Sequence, residues 1–252
     1  MERLNGETLQ AAGQRLVANG QAFSEQQSVD IAIDVLRSLG EAHAHGLVHR
    51  DLKPANIFLH TIPGGEQLIK VLDFGIAKDA DAGMTQAGKA LGTPTHMSPE
   101  QALGKPVDGR ADLYALGVML FECLAGELPF NADSPLAVVM KHVTEPVPSL
   151  AVRSHGRVRP ALAAVVEKAM AKEPDARWQN ALEMRAALQE AMALAGADRG
   201  HPRTSTVLPA VTQPQAQSPA TRSSVQVAIA SNDPAPDDSS ETAWMDPAEV
   251  LR

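Results

Sequence analysis

A single cysteine, Cys123, occurs in 252 residues. No disulfide within the chain and no cysteine-based zinc site is therefore open to it, which fits a reducing setting. Lying in the apolar run that leads to Gly126, its thiol reads as a small core hydrophobe. Basic excess is also missing: 22 Lys and Arg stand against 30 Asp and Glu, a formal charge of -8. That balance excludes nucleic-acid binding built on phosphate neutralisation, so no nucleic-acid partner is expected. No apolar run approaches the roughly 18 residues needed to cross a bilayer, and the opening MERLNGETLQ lacks the apolar core of a secretory signal. The expectation is a soluble, cytoplasmic chain without a membrane segment. Its 44% hydrophobic content is enough for a proper core.

Helical periodicity dominates what is present. Apolar residues recur at helical spacing from Glu7 to Ala18, and SEQQSVDIAIDVLRSLGEAHAHG places Val29, Ile33, Leu36 and Leu39 on one stripe. Ser24 is suited to cap that second helix, and Gly46 to stop it in a left-handed conformation. LVH, NIFLH and QLIKVLD read as short strands, the last two joined into a hairpin by the IPGG turn. Between Asp73 and Glu100 the periodicity fades, which predicts a long functional loop. DGRADLYALGVMLFECLAG is apolar on nearly every side and predicts a central buried helix. SPLAVVMKHV has Ser134 as cap and Pro135 in the first turn. RPALAAVVEKAMAKEP and NALEMRAALQEAMALAG complete an amphipathic series ending near Ala195. Beyond Gly196, Pro, Ser, Thr, Gln, Ala and Asp dominate, too little apolar surface to offset chain entropy, so residues 196–252 are expected to form a disordered tail. Trp244 and Met245 in its acidic ETAWMDPAEVL end mark a candidate short binding motif.

The chemistry concentrates in GLVHRDLKPANIFLH, Gly46 to His60. Phosphoryl transfer asks for a carboxylate to orient the attacking hydroxyl, oxygen ligands for a hard metal ion, and cations against developing charge. HRDLKPAN supplies all three within one short loop. DFG follows at Asp73, and GTPTHMSPE after it. Each residue alone is ordinary turn chemistry, but this order and spacing are those of the kinase signature set.

The chain resembles the bacterial eukaryotic-like (Hanks-type) serine/threonine protein kinases over nearly all of residues 1–193. The resemblance implies an α+β fold of the protein kinase type: a mainly helical large lobe with short β-hairpins at the catalytic cleft, spanning residues 1–195, with the tail over 196–252. It implies that Asp51 is the catalytic base, that Lys53 contacts the γ-phosphate of ATP, and that Asn56 and Asp73 bind Mg2+. Thr93 would touch both Asp51 and Lys53, which favours Ser or Thr of a protein substrate. Glu100, in the SPE variant of the Ala-Pro-Glu motif, would form a buried ion pair with Arg177. Asp112 would brace the catalytic-loop backbone. His96 stands where relatives commonly carry Tyr, and is expected to serve as packing. Arg50, beside Asp51, implies a loop ordered by phosphorylation, with Thr85 as candidate site and Arg50 and Lys78 as its phosphate partners.

Three family elements find no counterpart: the glycine-rich phosphate loop, the strand lysine and its helix glutamate. MERLNGETL instead resembles the hinge, so the small lobe is expected to be missing from this sequence. Glu2 and Leu4 would then offer backbone groups to adenine, Glu7 would reach the ribose or a basic substrate residue, and Phe58 would lie beneath the base. With half the nucleotide pocket gone, weak activity is expected unless a small lobe or partner chain covers the open cleft. Exposed apolar surface is expected there meanwhile. The alternative is a non-catalytic binding or scaffold module, against which the intact Asp51, Asn56 and Asp73 argue.

Overall fold

The computed structural model describes residues 5–62, 64–65, 67–73 and 94–193. The chain divides into two units, Met1–Pro209 and Ala210–Arg252, and every element described belongs to the first. The tail, with Trp244 and Met245, lies outside the described residues.

Three antiparallel strands form one small sheet in the order β1-β2-β3. β1 (Gly6–Thr8) pairs with β2 (Ile57–Thr61), Glu7 opposite Leu59, and β2 pairs with β3 (Gln67–Val71), Leu59 opposite Ile69. The β2–β3 hairpin is the one expected, its turn closed by a hydrogen bond from Gly65 N–H to Ile62 O at 3.0 Å. β1 corrects the expected helix over Glu7–Ala18, because α1 starts only at Leu9 and ends at Ala18. The cause is local: Gly6, at φ 141°, runs so close to Leu59 that a Cβ would fall 2.0 Å from its carbonyl oxygen. Only glycine permits that approach. Thr8 then caps α1 by accepting from Ala11 N–H.

α2 (Glu25–Ala44) begins in a full capping box, Ser24 with Gln27, and Gly46 follows its end at φ 73° as expected. Leu47–His49 is not the strand expected. Leu47 N–H bonds back to Ala42 O, and His49 N–H goes to a side chain, so no strand partner is taken.

α3 (Pro99–Ala102) and α6 (Leu150–Arg153) are each barely one turn, too short to show a period. α4 (Gly109–Ala125) is buried from Ala111 to Phe121 without a break, as its all-round apolar sequence predicts, and Gly126 terminates it at φ 81°. α5 (Pro135–Thr144) carries the expected Ser134 cap and Pro at its start. α7 (Pro160–Ala169) and α8 (Ala181–Ala193) close the series. α2 packs against α4 and α8, and α4 and α8 pack against α7. Leu36, Leu39, Leu116, Val166 and Leu188, at 0–1% exposed, lie in that helical core, and Cys123 is buried at its edge.

Candidate active site

The segment linking α2 to β2 is held from beneath by α4. Asp112, 1% exposed in the first turn of α4, accepts hydrogen bonds from His49 N–H at 2.8 Å and Arg50 N–H at 2.9 Å, and lies 2.7 Å from His43 Nε2. Two successive amides can converge on one carboxylate because Arg50 adopts φ 62°, a left-handed backbone that a non-glycine residue adopts only when its surroundings impose it. The His49 ring, wholly buried, spans to Leu72 O at 3.0 Å and so ties this segment to the end of β3. Asp112 thus holds two successive backbone amides ahead of Asp51.

On this frame sit the three side chains of the loop. Lys53 Nζ donates to Asp51 Oδ2 at 2.8 Å, both side chains being about a third exposed, at 39% and 33%. Pro54–Asn56 makes one 3-10 turn, closed by Asn56 N–H to Lys53 O at 2.9 Å. It directs Asn56 back onto the loop, where its Nδ2 donates to Asp51 O at 2.8 Å. Leu72 N–H donates to Asn56 O at 2.8 Å, continuing the β2–β3 ladder by one step. Asp73, exposed and at φ 50°, is therefore the next residue beyond Asn56's own strand partner. The hairpin brings Asn56 and Asp73 to one end of the sheet, 17 positions apart in sequence.

Among the described residues no group of three or more His, Cys, Asp and Glu is placed to hold a metal ion alone. The donors present nonetheless fit a magnesium site that shares its ion with phosphate. Asn56 commits its amide nitrogen to Asp51 O, leaving the oxygen as its acceptor, and Asp73 adds an exposed carboxylate. Two protein oxygens completed by phosphate and water suit a small hard cation that dehydrates reluctantly.

Around the loop the expected residues divide. Glu100 and Arg177 meet as a bidentate pair, both Nη–Oε contacts at 2.7 Å. Burial alone would raise the Glu100 carboxyl, but Arg177's hydrogen bonds and charge outweigh it and hold the carboxyl below its usual range. His96 is largely buried, as a packing residue would be, and makes polar contacts besides. Its Nδ1 is 2.9 Å from Thr95 Oγ1, and its Nε2 lies 3.2 Å from Glu122 Oε2. Phe58 lies half-buried on β2 opposite Lys70 and Thr8. The Glu7 carboxylate pairs with Arg15 at 2.9 Å, so reaching a ribose would require leaving that partner. Glu2, Leu4, Lys78, Thr85 and Thr93 lie outside the described residues.

Two contributors escaped sequence reading. His43 reaches Asp112 because Gly109 clears its path: a Cβ there would meet His43 Nδ1 at 2.7 Å. Gln101 donates from Nε2 to Arg50 O at 2.7 Å. Its only sequence signal is the Ser-x-x-Gln spacing of a capping box from Ser98.

No described helix is long and apolar enough to cross a membrane. Residues 1–191 match the protein kinase domain family. The serine/threonine-protein kinase PknB of Mycolicibacterium smegmatis is 45% identical over 192 residues, covering 75% of this chain and 29% of that protein. Pkn1 of Myxococcus xanthus, also a serine/threonine-protein kinase, is 48% identical over 167 residues, covering 66% of this chain and 24% of its own length. Among solved structures, the PknI kinase domain of Mycobacterium tuberculosis superposes with a TM-score of 0.58 at 27% identity, over 76% of this chain and 64% of that one. The chain thus spans less than a third of these curated relatives and about two thirds of that kinase domain. Matched by that family over residues 1–191 and sharing its fold with a solved kinase domain, the chain belongs to the protein kinase family.

Proposed function

We propose that this chain acts in transfer of the γ-phosphate of ATP to Ser or Thr of a protein substrate, residues 1–195 forming the catalytic-loop part of the kinase domain and 196–252 a separate tail. The observation that carries the proposal is the loop geometry: Lys53 2.8 Å from the Asp51 carboxylate, with Asn56 bonded to the Asp51 carbonyl at the foot of the hairpin that leads to Asp73. So exposed an ion pair adds little stability, which leaves chemistry as the better reason for it.

In this reading the Asp51 carboxylate accepts the hydrogen bond of the substrate hydroxyl and takes its proton as the oxygen attacks the γ-phosphorus, whose bond to the bridging oxygen breaks so that ADP leaves. Lys53, already beside Asp51, offers an ammonium to the transferred phosphoryl group. Asn56 and Asp73 would hold Mg2+, which when bound would supply charge neutralisation to the phosphates. Thr93 orients Asp51 and Lys53 toward a Ser or Thr hydroxyl. Glu2 and Leu4 present backbone groups to adenine, and Phe58 packs against the base. A phosphate on Thr85 pairs with Arg50 and Lys78. A small lobe or partner chain over the nucleotide completes the cleft, and the setting is cytoplasmic.

Calorimetry of the 252-residue chain with ATP and magnesium tests the nucleotide site. Magnesium-dependent binding that Asp73→Ala abolishes supports it, whereas binding indifferent to that substitution overturns the assignment.

A further inference from the structure

We propose that Gln101 is a positioning residue that clamps the peptide unit directly before Asp51 and couples it to the segment entering α3. The proposal rests on Asp51 being the catalytic base, as proposed above. Arg50, in its left-handed conformation, has its N–H held by Asp112 Oδ1 at 2.9 Å. Its carbonyl, part of the peptide bond to Asp51, accepts from Gln101 Nε2 at 2.7 Å. The residue ahead of Asp51 is thereby gripped at both ends, from α4 beneath and from α3 beside it.

Gln101's other end is equally committed. Its Oε1 accepts from Ser98 N–H at 3.1 Å and from Ser98 Oγ at 3.0 Å. These partners fix the amide's orientation, because a flipped amide would turn NH2 toward an N–H and oxygen toward a carbonyl. A capping box needs only the acceptor, and glutamate serves it with a favourable charge at the helix start. The donor to Arg50 is what an amide adds. Ser98 lies 2 residues after His96, in the segment that enters α3. A displacement of that segment is thus passed through one side chain to the backbone of Asp51.

The chain contains its own control. Ser24 and Gln27 form the same box at the exposed start of α2, with Gln27 Oε1 accepting from Ser24 N–H at 3.1 Å and Ser24 Oγ at 2.9 Å. Gln101→Glu and Gln27→Glu both preserve a box, but only the first sets a carboxylate against a carbonyl in the candidate active site.

Hydrogen exchange on the full chain decides between the readings. For Gln101→Glu, amides within residues 47–53 exchange about tenfold faster, the loss of one well-made hydrogen bond, while α4 and α8 keep wild-type protection. Gln27→Glu leaves residues 47–53 unchanged. Unaltered exchange at 47–53 in Gln101→Glu, an equal response to Gln27→Glu, or loosening spread over the whole domain would each overturn the clamp. Phosphoryl transfer separates the two proposals. If Gln101→Glu loosens residues 47–53 while Asp51→Asn leaves transfer untouched, the clamp stands and the assignment of Asp51 fails. With both correct, Gln101→Glu lowers kcat and leaves the KM for ATP unchanged.

Discussion

Arg177 and Glu100, 77 positions apart in sequence, form a two-point ion pair with 2% and 6% of their surfaces exposed. Arg177 spends its remaining donors on Ala171 O at 2.7 Å, Lys172 O at 2.8 Å and Arg110 O at 3.2 Å, and its guanidinium lies over the Tyr114 ring. The pair therefore fastens α3 to the start of α4 and to the turn after α7. Removing one partner leaves an uncompensated buried charge.

Glu100→Ala is expected to cost about 3–5 kcal/mol, read as a lower urea midpoint with an unchanged m-value. The same pair gives an acid limit. With the folded-state carboxyl held below its ordinary 4.5, its contribution is present above that pH and is lost as pH falls through the folded value. Wild-type stability should drop below pH 4.5 more steeply than that of Glu100→Gln. Parallel curves would remove the pair from this role.

Gly117, midway along α4, permits a close approach of α4 to the end of α7. A Cβ there would lie 2.8 Å from Ala169 Cβ and 3.0 Å from Met170 Cγ. Gly117→Ala gains helix propensity yet overpacks a rigid interface, and the steric effect wins at about 1–3 kcal/mol of lost stability. A thermal melt reads this directly, and a raised Tm would show that the helices can part at no cost.

What was legible in the sequence was whatever is local. Asp51, Lys53 and Asn56 lie within six residues, and their mutual bonds form inside one turn, so the motif shows in the string itself. Ser24 and Ser134 act on amides three residues away, within reach of a spacing rule. Other features depend on distant chain. β1 exists because Gly6 meets Leu59, and Leu47–His49 forms no strand because Asp112, 63 positions beyond His49, takes an amide. Gln101 reaches Arg50 across 51 positions. Such partners follow from packing, which periodicity does not encode.

His142, in the last turn of α5, is fully buried between aromatic rings, its Nδ1 2.9 Å from Tyr114 OH and its ring edge-on to Phe130. Burial, then the charges of Lys172 and His96, pull its pKa down to about 3, opposed by the Thr95 backbone. An unfolded imidazole titrates near 6.5, so between pH 6.5 and 3 the unfolded chain binds a proton that the folded one refuses. Stability should fall as pH drops through that window, by about 1.4 kcal/mol per unit from this group. Urea titrations at pH 7 and 5.5 should show a smaller loss for His142→Gln than for wild type. An equal loss in both would place the titration elsewhere.

Asp51→Asn separates chemistry from architecture at the centre of the loop. One bond of the side chain is to Lys53, on a pair about a third exposed, while the backbone around it is held through Asp112, Asn56 and Gln101. The substitution should therefore move the urea midpoint little, because a surface pair contributes about 0–1 kcal/mol. An amide cannot take up the hydroxyl proton, and general-base catalysis of this kind is worth about 10²–10⁴ in rate. With the cleft completed by a small lobe, the expected outcome is at least about a hundredfold loss of phosphoryl transfer with magnesium-dependent ATP binding retained, since Asn56 and Asp73 are untouched. Transfer at the wild-type rate would show that Asp51 is not the base. Loss of ATP binding would show instead that the loop frame depends on the carboxylate, and that the backbone bonds to Asp112 and Gln101 are insufficient to hold it.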